Sequence, residues 1–221
     1  MIGWPAAPTR RRVLGWAAGA AAAGAGLAGC GRRGPAVRPV PRGATVLALG
    51  DSLTYGTGAS AGASYPAVLA ELTGWQVVNA GVPGDTSAQA LARLPALLDE
   101  HRPALVVVSI GGNDFLRKLP ESDTRAHVHR ICQQALAAGA QVLLVALPRA
   151  TLAAALGQPS DHALYAEVAA DLNVPLQRGG WAEVLGQPAL RADAVHANAA
   201  GYAQFARSLY ATARAAGLLP G

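Results

Sequence analysis

Acidic residues are missing from the whole front of this chain. Up to Arg42 there are seven arginines (10, 11, 12, 32, 33, 38 and 42) and no Asp or Glu. The remainder, from Gly43, therefore holds 11 of the 18 basic residues and all 13 acids, a net charge of −2, although the full chain is formally +5. That excludes a nucleic-acid footprint, because a binding domain has to carry its basic surplus on the folded part. Cysteine is almost absent as well. Cys30 and Cys132 are the only two, which excludes a disulfide framework. Cys132 lies in a helical pattern, His129-Arg-Ile-Cys-Gln-Gln-Ala-Leu, with no acid or histidine directly beside it, and reads as a small core residue. A metal constellation is also lacking. His127 and His129 stand two apart on a predicted helix and point to different faces, and with His101 and His162 they read as surface residues. No metal and no cofactor is implied.

What the front does contain is ordered. Arg10-Arg11-Arg12 precedes an apolar run over residues 13–28, made almost wholly of Ala, Gly, Val, Leu and Trp, and the run ends Leu27-Ala28-Gly29-Cys30. A basic segment, an apolar segment and small residues before a cleavage point make a secretory signal. Thr9-Arg10-Arg11-Arg12-Val13-Leu14 resembles the twin-arginine export signature, and Leu-Ala-Gly-Cys resembles the bacterial lipobox, whose cysteine is lipidated and becomes the first mature residue. The run is short and glycine-rich for a membrane span, and it has neither the cap nor the stripe of a core helix. The expectation is a lipoprotein signal over 1–30 with Cys30 as the anchor, a Pro/Gly/Arg tether over 31–43 with little to bury, and one folded domain over 44–221. An exported monomer held at a membrane surface, facing the periplasm or cell exterior, follows from that organisation.

From Ala44 short apolar runs alternate with helical patterns. Strands are predicted over 45–49, 76–79, 104–110, 141–147 and 174–176, and helices over 65–72, 86–98, 123–138, 161–171 and 198–216, with Pro95 expected to kink or split the second helix. The run 45–49 lacks polar/apolar alternation, so both of its faces are covered. Strand and helix alternate throughout, which argues for an α/β fold with a parallel, doubly wound sheet and helices on both faces.

In such sheets ligands bind outside the carboxyl ends of the strands. Four junctions fall there: Gly50-Asp51-Ser52, then Asn79-Ala80-Gly81-Val82-Pro83-Gly84-Asp85-Thr86, then Gly111-Gly112-Asn113-Asp114, and later Asp193-Ala194-Val195-His196. These are the residue types a serine hydrolase needs. A serine hydroxyl requires an adjacent base and the base an orienting partner, while a tetrahedral oxyanion requires donors that glycine N–H groups and an Asn amide supply. Gly58-Ala59-Ser60-Ala61-Gly62 matches the G-x-S-x-G elbow, but that motif must follow a strand directly, and here the strand has already ended.

With those blocks in this order the chain resembles the SGNH or GDSL hydrolases, and within them the bacterial thioesterase I/lysophospholipase L1/arylesterase branch. The closer likeness rests on Ala80-Gly-Val-Pro-Gly-Asp-Thr-Ser87, on Leu91-Ala-Arg-Leu-Pro-Ala-Leu-Leu98, and on Gly-Gly-Asn-Asp followed by Leu116-Arg117. The resemblance implies a three-layer α/β/α sandwich around a five-stranded, flavodoxin-like parallel sheet. It implies acyl-ester hydrolysis with Ser52 as nucleophile, His196 as base and Asp193 as its partner. Oxyanion donors would be the N–H groups of Ser52 and Gly84 and the side chain of Asn113. Asp51, Asp114, Phe115 and Leu116 are assigned to the substrate pocket, which the apolar connection over 148–159 is expected to help line. Phe115 and the sequence His196-Ala-Asn depart from the branch, which has a smaller residue and His-Pro-Asn there.

Two alternatives stand beside that reading. Carbohydrate O-acetyl ester hydrolysis on the same fold would use Trp75 or Trp181 to stack on sugar. A non-catalytic, flavodoxin-like ligand-binding lipoprotein would use the loop from Thr54 to Ser60 as a phosphate cradle, but it leaves Asn113 and the Asp193/His196 pair without a reason.

Overall fold

The computed structural model describes residues 37–149 and 159–220, with Gly3 as an isolated point before them. The expected signal segment with Cys30, the first half of the tether and residues 150–158 of the long connection lie outside the described residues. The described residues after Gly3 belong to one compact unit, Arg33–Gly221.

Five strands, β1 (Thr45–Gly50), β2 (Gln76–Gly81), β3 (Leu105–Ser109), β4 (Gln141–Val145) and β5 (Leu176–Gln177), form one sheet in the order β2-β1-β3-β4-β5. Every pairing is parallel. The eight helices among the described residues are α1 (Ser52–Tyr55), α2 (Tyr65–Thr73), α3 (Ser87–His101), α4 (Gly112–Leu116), α5 (Glu121–Ala137), α6 (Ala163–Leu172), α7 (Gly180–Gly186) and α8 (Ala199–Ala215). Helices α2, α7 and α8 pack together in one layer, and α3, α5 and α6 in the other. Val46, Leu47, Ala48 and Leu49 of β1 are all fully buried between them, each of the larger side chains contributing roughly 1.5–3 kcal/mol of burial. The absence of alternation in that run is the sequence form of a strand covered on both faces.

The last layer closes on aromatic residues. Tyr202, Phe205, Ala206 and Leu209 form the buried stripe of α8, and Trp181 of α7 stacks on Phe205 with ring centroids 3.7 Å apart. Trp181 donates Nε1–H to Ser109 Oγ, and Trp75 donates its own to the Val40 carbonyl. Both indoles are core residues, so neither faces a ligand.

Two expectations are corrected here. Helix α3 runs through Pro95 without a break to His101. Proline removes one intrahelical hydrogen bond, and Leu94 and Leu98 on either side of it are buried in the core, so the helix is not split. The end of the expected tether is part of the domain: Val40 is buried, its N–H donates to Leu218 O at 2.8 Å, and Arg38 exchanges two hydrogen bonds with the Gln141 side chain.

Strand order places the switch point of the chain between β1 and β3, since the connection from β1 leads to β2 on one side while β3 lies on the other. Open sheets of this kind hold ligands in the crevice at that point. Ser52 and Asn113 follow the two strands that flank it.

Candidate active site

Strand β1 ends at Gly50, a position with no room for a side chain. A Cβ there would stand 2.0 Å from Thr54 Oγ1 and 2.5 Å from Ser109 O. The chain turns at once into α1, whose N-cap, Asp51, accepts from Leu53 N with Oδ1 at 3.0 Å. Ser52 is thereby the first residue of a helix, where backbone N–H groups have no intrahelical partner. Its side chain points to the loop before α8. Ser52 Oγ lies 2.9 Å from His196 Nε2, and His196 Nδ1 lies 2.7 Å from Asp193 Oδ2.

That loop is braced from several sides. Asp193 Oδ1 accepts from the N–H groups of Val195 and His196, both at 2.8 Å. Arg191 and Ala197 form an antiparallel bridge. Asn198 caps α8 by accepting from Gly201 N, and its amide donates to the carbonyls of Ala189 and Arg191. The change from His-Pro-Asn to His196-Ala-Asn leaves this Asn in full use. Partial burial raises the Asp193 carboxyl, but the His196 ring and the two backbone N–H groups outweigh it and hold the group below its ordinary value.

Across the crevice, Gly84 sits at φ +84, a left-handed conformation suited to glycine, and its carbonyl accepts from Arg117 Nη2 at 2.8 Å. Asn113 Nδ2 donates to Asp85 O at 2.9 Å and stands 3.4 Å from Asp51 Oδ2. Asp51 is 2% exposed. Burial pushes its carboxyl up to about 7, against the opposing pull of the Leu53 N–H and of His196.

These groups open into a cavity of about 650 Å³, within the range of small-molecule sites. Asp51, Ser52, Gly84, Asn113 and His196 line its polar end. Leu53, Pro83, Phe115, Leu116, Leu147, Pro148, Leu185 and Val195 make an apolar wall, with Arg149 and Arg191 beside it. Pro148, Arg149 and Pro159 are the described part of the connection expected to line the site. Thr57, Leu147, Leu185 and Arg191 carry no sequence pattern that singles them out.

Asp114 is the exception among the expected pocket residues. It is buried on the far side of α4, against Ser87 and Thr124, and does not line the cavity. Successive residues on a helix point about 100° apart, and the bonds to Ser87 and Thr124 hold Asp114 on the side of α4 away from Asn113 and the cavity. His162 is a second correction: only 5% exposed, it caps α6 through Nδ1 and stacks on Phe115 at 4.6 Å. His127 is half-buried and bonded to Ser87. Ser60 is exposed at the start of a 3-10 turn, away from any strand end. Among the described residues no His/Cys/Asp/Glu group is arranged to hold a metal, and no helix is long and apolar enough to cross a membrane.

Residues 48–204 match the GDSL-like Lipase/Acylhydrolase family. The thioesterase 1/protease 1/lysophospholipase L1 of Escherichia coli (strain K12) is 41% identical over 162 residues, 70% of this chain and 76% of that protein. An arylesterase of Vibrio mimicus is 36% identical over 105 residues, 45% of this chain and 52% of its own length. Among solved structures, the crystal structure of TesA superposes with a TM-score of 0.69 at 32% identity, covering 78% of this chain and 99% of that one.

Proposed function

Because the chain belongs to the GDSL-like lipase/acylhydrolase family and is an ester hydrolase, we propose that Ser52, His196 and Asp193 carry the hydrolysis through a covalent acyl-enzyme. The observation behind this reading is the continuous hydrogen-bonded line from Ser52 Oγ through both ring nitrogens of His196 to Asp193, at the polar end of an apolar cavity. Asp193 holds the tautomer with the proton on Nδ1, leaving Nε2 as the acceptor for the serine proton. Ser52 Oγ bonds to the acyl carbon as that proton passes to Nε2, and the imidazolium returns it to the departing alkoxide, phenoxide or thiolate. Water then attacks the acyl-enzyme by the same route and frees the acid. The N–H groups of Ser52 and Gly84 and the Asn113 amide stabilise the tetrahedral oxyanion.

The apolar wall favours acyl groups longer than acetyl as substrates, in esters or thioesters resembling those named for the relatives. Sugar acetates are disfavoured because Trp75 and Trp181, the candidate sugar-stacking indoles, are both in the core. Hydrolysis of p-nitrophenyl esters from acetyl to long acyl, by wild type and Ser52→Ala, tests the reading. Activity should fall by about 10⁶ in the variant. Equal rates in the two proteins, both folded, would refute it.

We also propose export as a monomeric lipoprotein anchored through Cys30. Support comes from the order of the basic segment, apolar run and Leu-Ala-Gly-Cys and from a site complete within one chain. Radiolabelled palmitate should be incorporated by wild type and not by Cys30→Ser; equal incorporation, or none in either, counts against the anchor.

A further inference from the structure

Asn113 and Asp114 are neighbours on a helix of five residues, the first lining the cavity and the second turned from it toward Ser87 and Thr124. A helix that short has no stability of its own. What holds α4 is the Asp114 carboxylate, 2% exposed. Its Oδ2 accepts from Ser87 N at 2.8 Å, and its Oδ1 accepts from Ser87 Oγ at 2.5 Å and from Thr124 Oγ1 at 3.3 Å. Ser87 Oγ also lies 3.0 Å from His127 Nδ1. The hydroxyl has one proton and gives it to the carboxylate, so His127 Nδ1 is the donor in that contact. Helices α3, α4 and α5 thus meet at one carboxylate. Ser87 is fully buried and its proton is committed to Asp114, so this Ser/His/Asp group is no second nucleophile.

The same two segments are linked a second time at the cavity, where the Asn113 amide donates to Asp85 O. One link joins residues 113 and 85, the other joins 114 and 87. Resting on the assignment of Gly84 and Asn113 as oxyanion donors, we propose that Asp114 is a positioning residue. Through Ser87 it sets the separation between the segment bearing Gly84 and the turn bearing Asn113, with His127 fixing the Ser87 hydroxyl. It touches no substrate and acts only through the placement of those donors.

The test is steady-state hydrolysis of a soluble aryl ester by Arg33–Gly221, which holds its own core, with active sites titrated by an organophosphonate. Asn113→Ala should lower kcat per titrated site by about 10²–10³. Asp114→Ala should lower it by about 10- to 100-fold, the cost of donors misplaced by an ångström or less, with KM nearly unchanged. Asp114→Asn should recover much of the loss, because its amide oxygen still accepts from Ser87 N. The double variant Asn113→Ala/Asp114→Ala should fall scarcely below Asn113→Ala alone. Unchanged kcat per site in Asp114→Ala, or losses that multiply independently in the double variant, overturn the proposal. If Asp114→Ala does not fold, Ser87→Ala decides: a several-fold kcat loss at unchanged KM supports the clamp, and wild-type kcat refutes it. Wild-type kcat in Asn113→Ala would instead remove the oxyanion assignment and the proposal with it, while the Ser52→Ala result still stands separately.

Discussion

Arg93 reaches across the catalytic edge of the sheet to Asp85, donating from Nε to Oδ2 at 2.7 Å while its Nη2 donates to Gly50 O at 2.9 Å. One guanidinium therefore ties the loop after β2 to the end of the strand that delivers Ser52. Its partner carboxylate is 9% exposed and the Arg side chain 24%. Replacing Arg93 with Met leaves that carboxylate unpaired. A stability loss of about 1–3 kcal/mol is expected, below the figure for a fully buried pair because water reaches the arginine. Arg93→Lys should restore only part, since an ammonium does not reproduce the planar fork. Urea midpoints read the effect, and a Met variant as stable as wild type would contradict it.

Asp51 gives a pH dependence with a definite sign. Burial raises its carboxyl from an ordinary 3.8 to about 7, so the folded protein binds this proton more tightly than the unfolded chain. The group's contribution is full below about pH 4 and is lost as pH rises through about 7. Asp51→Asn keeps an acceptor for the Leu53 N–H but carries no charge. Its Tm relative to wild type should therefore climb between pH 5 and pH 8. A difference that stays level across that interval would show that the carboxyl is not raised.

Asp193 lies outside the buried core, yet its removal should be felt in turnover. Asp193→Ala frees the His196 ring and both loop N–H groups. A kcat loss of about 10⁴ is expected, smaller than for Ser52→Ala, in line with the acid of other serine triads. A variant within tenfold of wild type would remove Asp193 from the mechanism.

Phe115 shapes the apolar wall, stacked on His162 with the rings 7° from parallel. Phe115→Ala opens the cavity on that side. kcat/KM should rise several-fold for long acyl esters relative to acetyl, as a few added methylenes in an apolar pocket are each worth about 1 kcal/mol or less in binding. An unaltered chain-length profile would place the acyl chain elsewhere.

Much of this was legible in the sequence because periodicity reports burial. The run 45–49 and the leucines of α3 announce their surroundings directly. Helices α1, α4 and α7 escaped notice because four to seven residues hold too few turns to show a stripe. Val40 gives no signal of burial, since one of two valines scattered among Pro, Gly and Arg announces nothing until Trp75 and Leu218 meet it. Asp114 and His162 are polar residues whose burial depends on partners far along the chain, Ser87 and Phe115, which no local pattern supplies. Ser52, His196 and Asp193 were legible through spacing and resemblance, whereas the Arg93 tie to Gly50 needed coordinates.

The hydrogen bond between Ser52 and His196 spans 144 residues, and this fixes an order of events in time. On the proposed roles, a growing chain acquires its nucleophile early, then the turns that carry Gly84 and Asn113, and its base only near the end. Any fragment that stops before residue 196 lacks the imidazole that Ser52 is proposed to use as its base. Synthesis in that order would leave the proposed nucleophile without its base until the loop before the final helix has formed.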